Sequence, residues 1–176
     1  MNPLIWFKNA ISSCWHKYHI MLNLRARTDD ALYEAIRCVY LLYLEIQKNG
    51  PVRDAFHHEL RSNKMRKGGN EALTLVERAF FPYVLLQRKK GDHQSYKADI
   101  DKASSYAKAI SYAHANKVKA EHFVKFIRDK GGIQAAARAE TERLGESNER
   151  TEVRLGRHRP RGGNGTAAVP GRPPSG

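Results

Sequence analysis

The chain has 176 residues, and its 31 Lys and Arg outnumber its 18 Asp and Glu, which gives a net charge of +13 at pH 7. Hydrophobic residues make up 41% of the sequence, a fraction that excludes disorder along the whole chain and allows one buried core. No run approaches the ~18 consecutive apolar residues of a transmembrane helix, so no membrane span is expected. The first 24 residues lack the pattern of a signal peptide, and the chain has only two cysteines, so the sequence favours a cytoplasmic protein.

The N-terminal segment has apolar residues three and four positions apart. They are Leu4, Phe7, Ile11, Trp15, Tyr18 and Leu22. This spacing predicts an amphipathic helix that packs on the core of the protein. Binding to a membrane surface is the alternative for this helix, but few Lys or Arg residues flank its apolar face.

Two further helices follow from their start and stop signals. Thr28 before Asp29 and Asp30 predicts a helix start, and the next 16 residues are apolar on most sides, which is typical of a central helix. Asn49-Gly50-Pro51 is expected to end this helix through a left-handed glycine cap. Apolar residues four apart, from Val52 to Leu60, then predict a short helix.

The second half of the sequence predicts four more helical segments. Asn70 is a helix cap, and Pro82 predicts a break near Phe81. A helix from Lys97 carries alanines and His114 on one face, which favours close packing against a neighbouring helix. A short helix is expected to end at Gly131-Gly132. The last predicted helix covers residues 133–144.

No segment shows the period-two alternation of a strand, so the predicted fold class is all-α. We expect a single helical domain of about six or seven helices over residues 1–137. Residues 138–176 form an Arg/Gly/Pro-rich tail, helical at its start at most and then disordered.

Residues with catalytic or metal-binding potential are scattered. Cys14 and His16 are two residues apart and so point to different sides of a helix, and a metal site at His16 or His19 would need a distant partner. His57-His58-Glu59 is not the arrangement that turns two imidazoles to one side of a helix. No serine lies on a glycine elbow, and no glycine-rich stretch has the spacing of a phosphate loop. The sequence therefore predicts no catalytic residue, no metal site and no cofactor.

Positive charge carries the functional prediction, because basic clusters raise the local concentration of polyanions. We expect a protein without catalytic activity that binds nucleic acid, DNA in preference to RNA, mainly through phosphates. The predicted contacts are two clusters at helix ends and an arm in the tail: Arg61, Lys64, Arg66 and Lys67, then Arg88, Lys89 and Lys90, then Arg154, Arg157, Arg159 and Arg161.

We do not expect the protein to recognise a specific base sequence. A helix-turn-helix with its turn at Gly145 would place Glu146, Glu149 and Glu152 on the recognition helix, facing phosphates. Two alternatives remain open for the function. One is a protein-interaction module that forms a homo-oligomer or binds an acidic partner, and the other is an enzyme of unknown class.

Overall fold

The structure, a computed structural model, describes residues 2–23, 29–63, 70–82, 84 and 96–154, with the backbone alone for 23 and 146–154. In these ranges it contains seven α-helices, one short 3-10 helix and no strand. The helices are α1 (Pro3–Asn23), α2 (Asp29–Lys48), α3 (Gly50–Ser62), α4 (Glu71–Phe80), α5 (Lys97–Ala115), the 3-10 helix Ala120–His122, α6 (Phe123–Asp129) and α7 (Ile133–Arg154). The predicted all-α fold is confirmed there, and the tail beyond Arg154 lies outside the described residues.

The chain divides into two compact units, Met1–Arg143 and Leu144–Gly176. Of the second unit the structure describes the last part of the α7 backbone, and its residues Leu144 and Gly145 are exposed. The predicted domain boundary after residue 137 falls within α7. In the part of the chain that the structure describes, no helix has both the length and the hydropathy that crossing a bilayer requires.

Helix α1 is present as predicted, but the buried side differs from the predicted one. Phe7, Ile11, Cys14, Tyr18 and Met21 are buried, whereas Trp15 is 42% exposed and Leu22 is 36% exposed. The step from Ile11 to Cys14 is three residues, and repeated steps of four and three keep a straight row on a helix with 3.6 residues per turn. The prediction that Trp15 and Leu22 face the core was therefore wrong.

Helix α2 is the centre of the first unit, as its apolar sequence predicted. It packs against α1, α3, α4, α5 and α6. Tyr40 is fully buried on it, its hydroxyl donates a hydrogen bond to the Val118 carbonyl at 2.6 Å, and its ring packs 4.9 Å from that of Phe123. One side chain thus joins α2 to the connection between α5 and α6.

The junction of α2 and α3 is a single residue. Asn49 is the N-cap of α3, its side chain accepts from the Val52 amide at 3.4 Å, and Pro51 lies in the first turn, where its missing N–H has no helical partner to lose. The expected left-handed cap at Gly50 was wrong, because Gly50 is already the first residue of α3 and its φ is not positive. Asn-Gly-Pro starts a helix here as well as ending one.

Other predicted boundaries are confirmed. Asn70 caps α4 by accepting from the amides of Ala72 and Leu73, and α4 ends at Phe80, two residues before Pro82. Gly131 and Gly132 have φ of +85° and +96°, a backbone conformation that glycine adopts without steric cost and that stops α6. Gly145 lies inside α7, so the helix has no turn at that position.

The Tyr40 hydroxyl should make the fold sensitive to alkali. Burial raises the pKa of Tyr40 from 10.0 to about 12, so the folded protein keeps a proton that the unfolded chain has lost. The stabilisation is complete below pH 10 and disappears as the pH rises through 12, a loss of about 2–3 kcal/mol at one pKa unit per 1.36 kcal/mol. Urea unfolding at pH 9 and pH 11.5 should show this decline, and it should be shallower in Tyr40→Phe. An equal decline in both proteins would contradict this assignment.

Candidate nucleic-acid interface

Of the eleven predicted contact residues, Arg61 is the one whose side chain lies in the described part of the chain. It lies in the last turn of α3 and is exposed. A cation in the last turn also interacts favourably with the negative end of the helix dipole. Glu59, two residues earlier, lies on the opposite and buried side of the same helix, so its charge is kept away from an anion that approaches Arg61.

Glu59 holds three helices together below this surface. Its carboxylate accepts from Arg78 Nη2 at 2.9 Å, and Lys8 Nζ lies 3.7 Å from its other oxygen. The Glu59 side chain is only 6% exposed, so these two cations compensate a charge that would otherwise be buried alone. Arg78 and Lys8 are thereby engaged by an acid, and neither is among the predicted contacts.

The first basic cluster connects two capped helix ends. Asn63 follows α3, and its amide Nδ2 donates to the Glu59 carbonyl at 2.9 Å. Asn70 opens α4, and its side chain accepts from the Ala72 amide at 2.8 Å. The described residues therefore fix where the segment leaves α3 and where it enters α4, while Lys64, Arg66 and Lys67 lie outside the described residues.

The side chains of the other predicted contacts also lie outside the described residues. Val84 and Tyr96 are the nearest described residues on either side of Arg88, Lys89 and Lys90. Arg154 is the last residue of α7 and is described by its backbone alone. The remaining predicted contacts, Arg157, Arg159 and Arg161, lie beyond the described residues.

The net charge is unevenly divided between the described helices and the rest of the sequence. The residues whose side chains are described contain 17 Lys and Arg against 14 Asp and Glu, a net of +3 out of the +13 of the whole chain. The difference, 13 minus 3, leaves +10 in residues 24–28, 64–69, 83, 85–95 and 146–176. The helical framework is thus nearly neutral, and the excess charge is in the segments that join its helices or follow them.

Aromatic packing brings two helix ends together. Tyr18, in α1, stacks on Phe80 at the end of α4, with ring centroids 4.3 Å apart, and lies 5.6 Å from the Phe81 ring. The chain continues beyond α1 with Arg25 and Arg27, and beyond α4 with Arg88 to Lys90. Arg25 and Arg27 were not among the predicted contacts, and they lie outside the described residues.

Rings and cations also lie together where α5 packs near α6, and these residues were not among the predicted contacts. The rings of Tyr112 and Phe126, both partly buried, are 5.7 Å apart, and Lys130 Nζ lies 5.7 Å from the Tyr112 centroid. Lys125 is exposed on the same short helix as Phe126. Cations beside rings suit nucleic acid, because phosphate and base offer a charge and a π-face together. The sequence hides this pairing, since Tyr112 and Phe126 belong to different helices.

A polar cleft of about 360 Å³ opens between α2, α5, α7 and the start of α4, and its acids already have partners. Glu140 accepts two hydrogen bonds from Arg143, at 2.7 and 2.8 Å, and Glu71 accepts one from Gln47 at 2.7 Å. Burial and these two carboxylates raise the pKa of Tyr43. The cleft offers hydrogen bonds to a ligand, but its acids do not suit a phosphate.

Among the described side chains, no three His, Cys, Asp or Glu residues come together in the manner of metal ligands. His114, expected on the packed face of α5, is exposed and its ring meets Tyr43 edge-on, with centroids 5.2 Å apart. Comparison of the chain with protein-family models, with curated proteins and with solved structures gives no match.

Proposed function

We propose that this protein binds nucleic acid, DNA in preference to RNA, through phosphate contacts from its inter-helix segments and without reading base sequence. The uneven division of charge is the observation that supports this function most. A nearly neutral framework of helices presents cations in short connections, where their donors need no base geometry to reach a phosphate backbone. The tail arginines would act as an accessory arm on the same polyanion.

The cluster of Arg61, Lys64, Arg66 and Lys67 is proposed as the primary contact. Arg61 is exposed, and Asn63 and Asn70 hold the segment at both ends. Fixed ends reduce the conformational entropy that a connecting segment loses when it binds. The second cluster, Arg88 to Lys90, would extend the contact along the backbone.

The salt dependence of binding tests the primary contact. Replacing Arg61, Lys64, Arg66 and Lys67 together with alanine should reduce the slope of log K against log salt by about 3–4 for duplex DNA, because each of the four neutralised phosphates contributes about 0.9. Fluorescence anisotropy with a labelled random duplex, a single strand and an RNA of equal length, each over a series of salt concentrations, measures this slope and compares the three ligands.

The matched control removes four exposed cations from the helices: Lys48, Lys97, Lys102 and Arg138. Both variants lose the same charge, so a general electrostatic effect would lower both slopes equally. An unchanged slope in the first variant, or an equal change in the two, would remove the loop assignment. Absence of any salt-dependent binding by the intact chain would remove the function itself.

A second candidate is protein interaction, which exposed apolar side chains on α1 favour. Ile5 is 57% exposed and Ile20 is 44% exposed, and Trp15 is also accessible. Such side chains are typical of interfaces when they adjoin one another. Light scattering at two protein concentrations, without nucleic acid, tests this candidate. If the protein is an interaction module, the measured molecular mass should rise with protein concentration or when an acidic partner is added.

A further inference from the structure

A cleft of about 480 Å³ opens between α1, α3 and the end of α4. Four residues of α1 line it: Lys8, Ile11, Ser12 and Trp15. Their spacing places them on one side of the helix over two turns. Glu59 from α3, Arg78 from α4 and Pro82, just after α4, complete the lining. Small-molecule sites in proteins have volumes of about 300–1,000 Å³, so the cleft is large enough for a ligand.

The lining of this cleft contains two cations and one acid. Arg78 Nη2 donates to Glu59 at 2.9 Å, whereas Lys8 Nζ is 3.7 Å from the other Glu59 oxygen, beyond hydrogen-bond distance. The Lys8 side chain is 56% exposed, and the Nε of Arg78 has no hydrogen-bond partner among the described residues. Both cations thus retain donors for a further acceptor. Since they share one carboxylate, one positive charge of the lining is uncompensated, and the cleft favours an anion.

Trp15 adds an aromatic surface to the same cleft. The residue is 42% exposed, and the His19 ring packs against the indole with centroids 4.0 Å apart. Ile11, which is 4% exposed, and Pro82 contribute further apolar surface to the lining. An accessible indole with one ring already packed against it can stack with a second planar ring.

The cation and the indole are separated along α1. Lys8 and Trp15 are seven residues apart, which is about 10 Å along the helix axis at about 1.5 Å per residue. A ligand that contacts both needs a spacer between its anionic group and its ring, so a ring that bears its acid directly, as in benzoate, is too short. Ser12 lies between them and is exposed, and its hydroxyl can donate to or accept from a polar spacer.

We propose that this cleft binds a nucleoside monophosphate, with the base stacked on Trp15, the sugar beside Ser12 and the phosphate at Lys8 and Arg78. Ammonium and guanidinium groups both form charge-assisted hydrogen bonds with phosphate oxygens. A free nucleotide and the 5′-terminal nucleotide of a strand both offer this chemistry. The inference does not depend on the proposed binding of duplex DNA, because it uses none of the contact residues predicted for that function.

A second cleft along α1 provides an internal comparison. It has a volume of about 530 Å³, and Trp6 and Glu45 are among the residues that line it. Glu45 is the one charged residue in the described lining of this cleft, so an anion is not favoured there. The chain has two tryptophans, and each of them lies in one cleft. A nucleotide should therefore contact Trp15 and not Trp6.

Tryptophan fluorescence of the full-length chain tests the site. In Trp6→Phe, where Trp15 is the remaining tryptophan, adenosine monophosphate should quench the emission saturably. Adenosine and inorganic phosphate should each bind at least about tenfold more weakly, because each lacks one part of the contacts. Trp15→Phe, which reports from Trp6, should show no saturable quenching. Equal affinities for adenosine monophosphate and adenosine, or equal quenching of the two tryptophans, would overturn the proposal.

The source of the nucleotide is distinguished with a short oligonucleotide, prepared with and without a 5′-phosphate. A gain in affinity from the 5′-phosphate, together with weaker binding of adenosine monophosphate, would assign the site to strand ends. No gain, together with binding of adenosine monophosphate, would assign it to the free nucleotide. If neither the free nucleotide nor the 5′-phosphate is recognised, the site does not exist, whatever the binding of duplex DNA to the chain.

Variants of Lys8 separate the phosphate contact from an effect on folding. Lys8→Gln should weaken binding of adenosine monophosphate by about tenfold, and Lys8→Arg, which keeps the charge, should stay within about twofold of the intact chain. The control is Lys17→Gln, which removes an exposed lysine of α1 outside the described lining and should leave the affinity unchanged. All variants are measured below the lowest of their melting temperatures. Intact-chain affinity in Lys8→Gln, or an equal loss in Lys17→Gln, would contradict the assignment.

Discussion

Replacement of Arg78 with methionine is expected to destabilise the protein by about 3 kcal/mol. Arg78 Nη2 donates to Glu59 at 2.9 Å, and the Glu59 side chain is 6% exposed, so the substitution leaves a buried carboxylate with one weaker partner. Lys8 Nζ remains 3.7 Å from the other Glu59 oxygen, which keeps the loss at the lower end of the range for a broken buried pair. Urea unfolding at pH 7 measures the change.

The double variant Glu59→Leu with Arg78→Met distinguishes the buried charge from lost packing. It should recover most of the stability, because an apolar pair of similar volume removes the uncompensated charge. The control is Arg37→Met, which breaks the partly exposed pair with Glu34 and should cost less than about 1 kcal/mol. If Arg78→Met is no worse than Arg37→Met, the buried pair does not hold the three helices together.

Replacement of Phe80 with alanine is expected to cost about 3–5 kcal/mol and to lower the melting temperature by about 10 °C. Phe80 is 2% exposed, stacks on Tyr18 at 4.3 Å and meets the edge of Tyr106 at 6.3 Å. Its ring is shared by α1, α4 and α5, so the cavity left behind would affect three helices, and the aromatic pairs would be lost as well. Thermal and urea unfolding both report the effect.

Leu41→Ala is the control for Phe80→Ala. Leu41 is an apolar residue on the central helix that is 45% exposed, and its truncation should change stability by less than about 1 kcal/mol. A loss of stability for Phe80→Ala no larger than that of Leu41→Ala would contradict the packing described for Phe80.

Periodicity predicted where the helices lie but not which side of α1 is buried. Cys14 and Trp15 are adjacent and both apolar, so spacing alone allows either of them to continue the row from Ile11. The structure buries the small side chain in the core cluster and leaves the indole 42% exposed. That choice depends on the neighbouring helix, which the sequence of α1 does not contain.

The ion pairs also differ in whether nearby sequence is enough to predict them. Glu34 with Arg37 and Glu140 with Arg143 are three residues apart on one helix, a spacing from which such pairs can be predicted. Glu59 with Arg78, and Asp30 with Arg128, join distant parts of the chain and depend on tertiary packing. Counting cations along the sequence therefore located the basic segments but could not tell which helical cations are already neutralised.

The near balance of charge on the described helices has a consequence for how the protein responds to its ionic surroundings. With 17 basic and 14 acidic side chains there, the folded framework has little internal repulsion for added electrolyte to relieve. Its melting temperature should stay nearly constant from low to moderate ionic strength, while contacts made by the connecting segments weaken over the same interval. The stability of the fold and the affinity for a polyanion could then change independently. Different cationic connections could join the same helices.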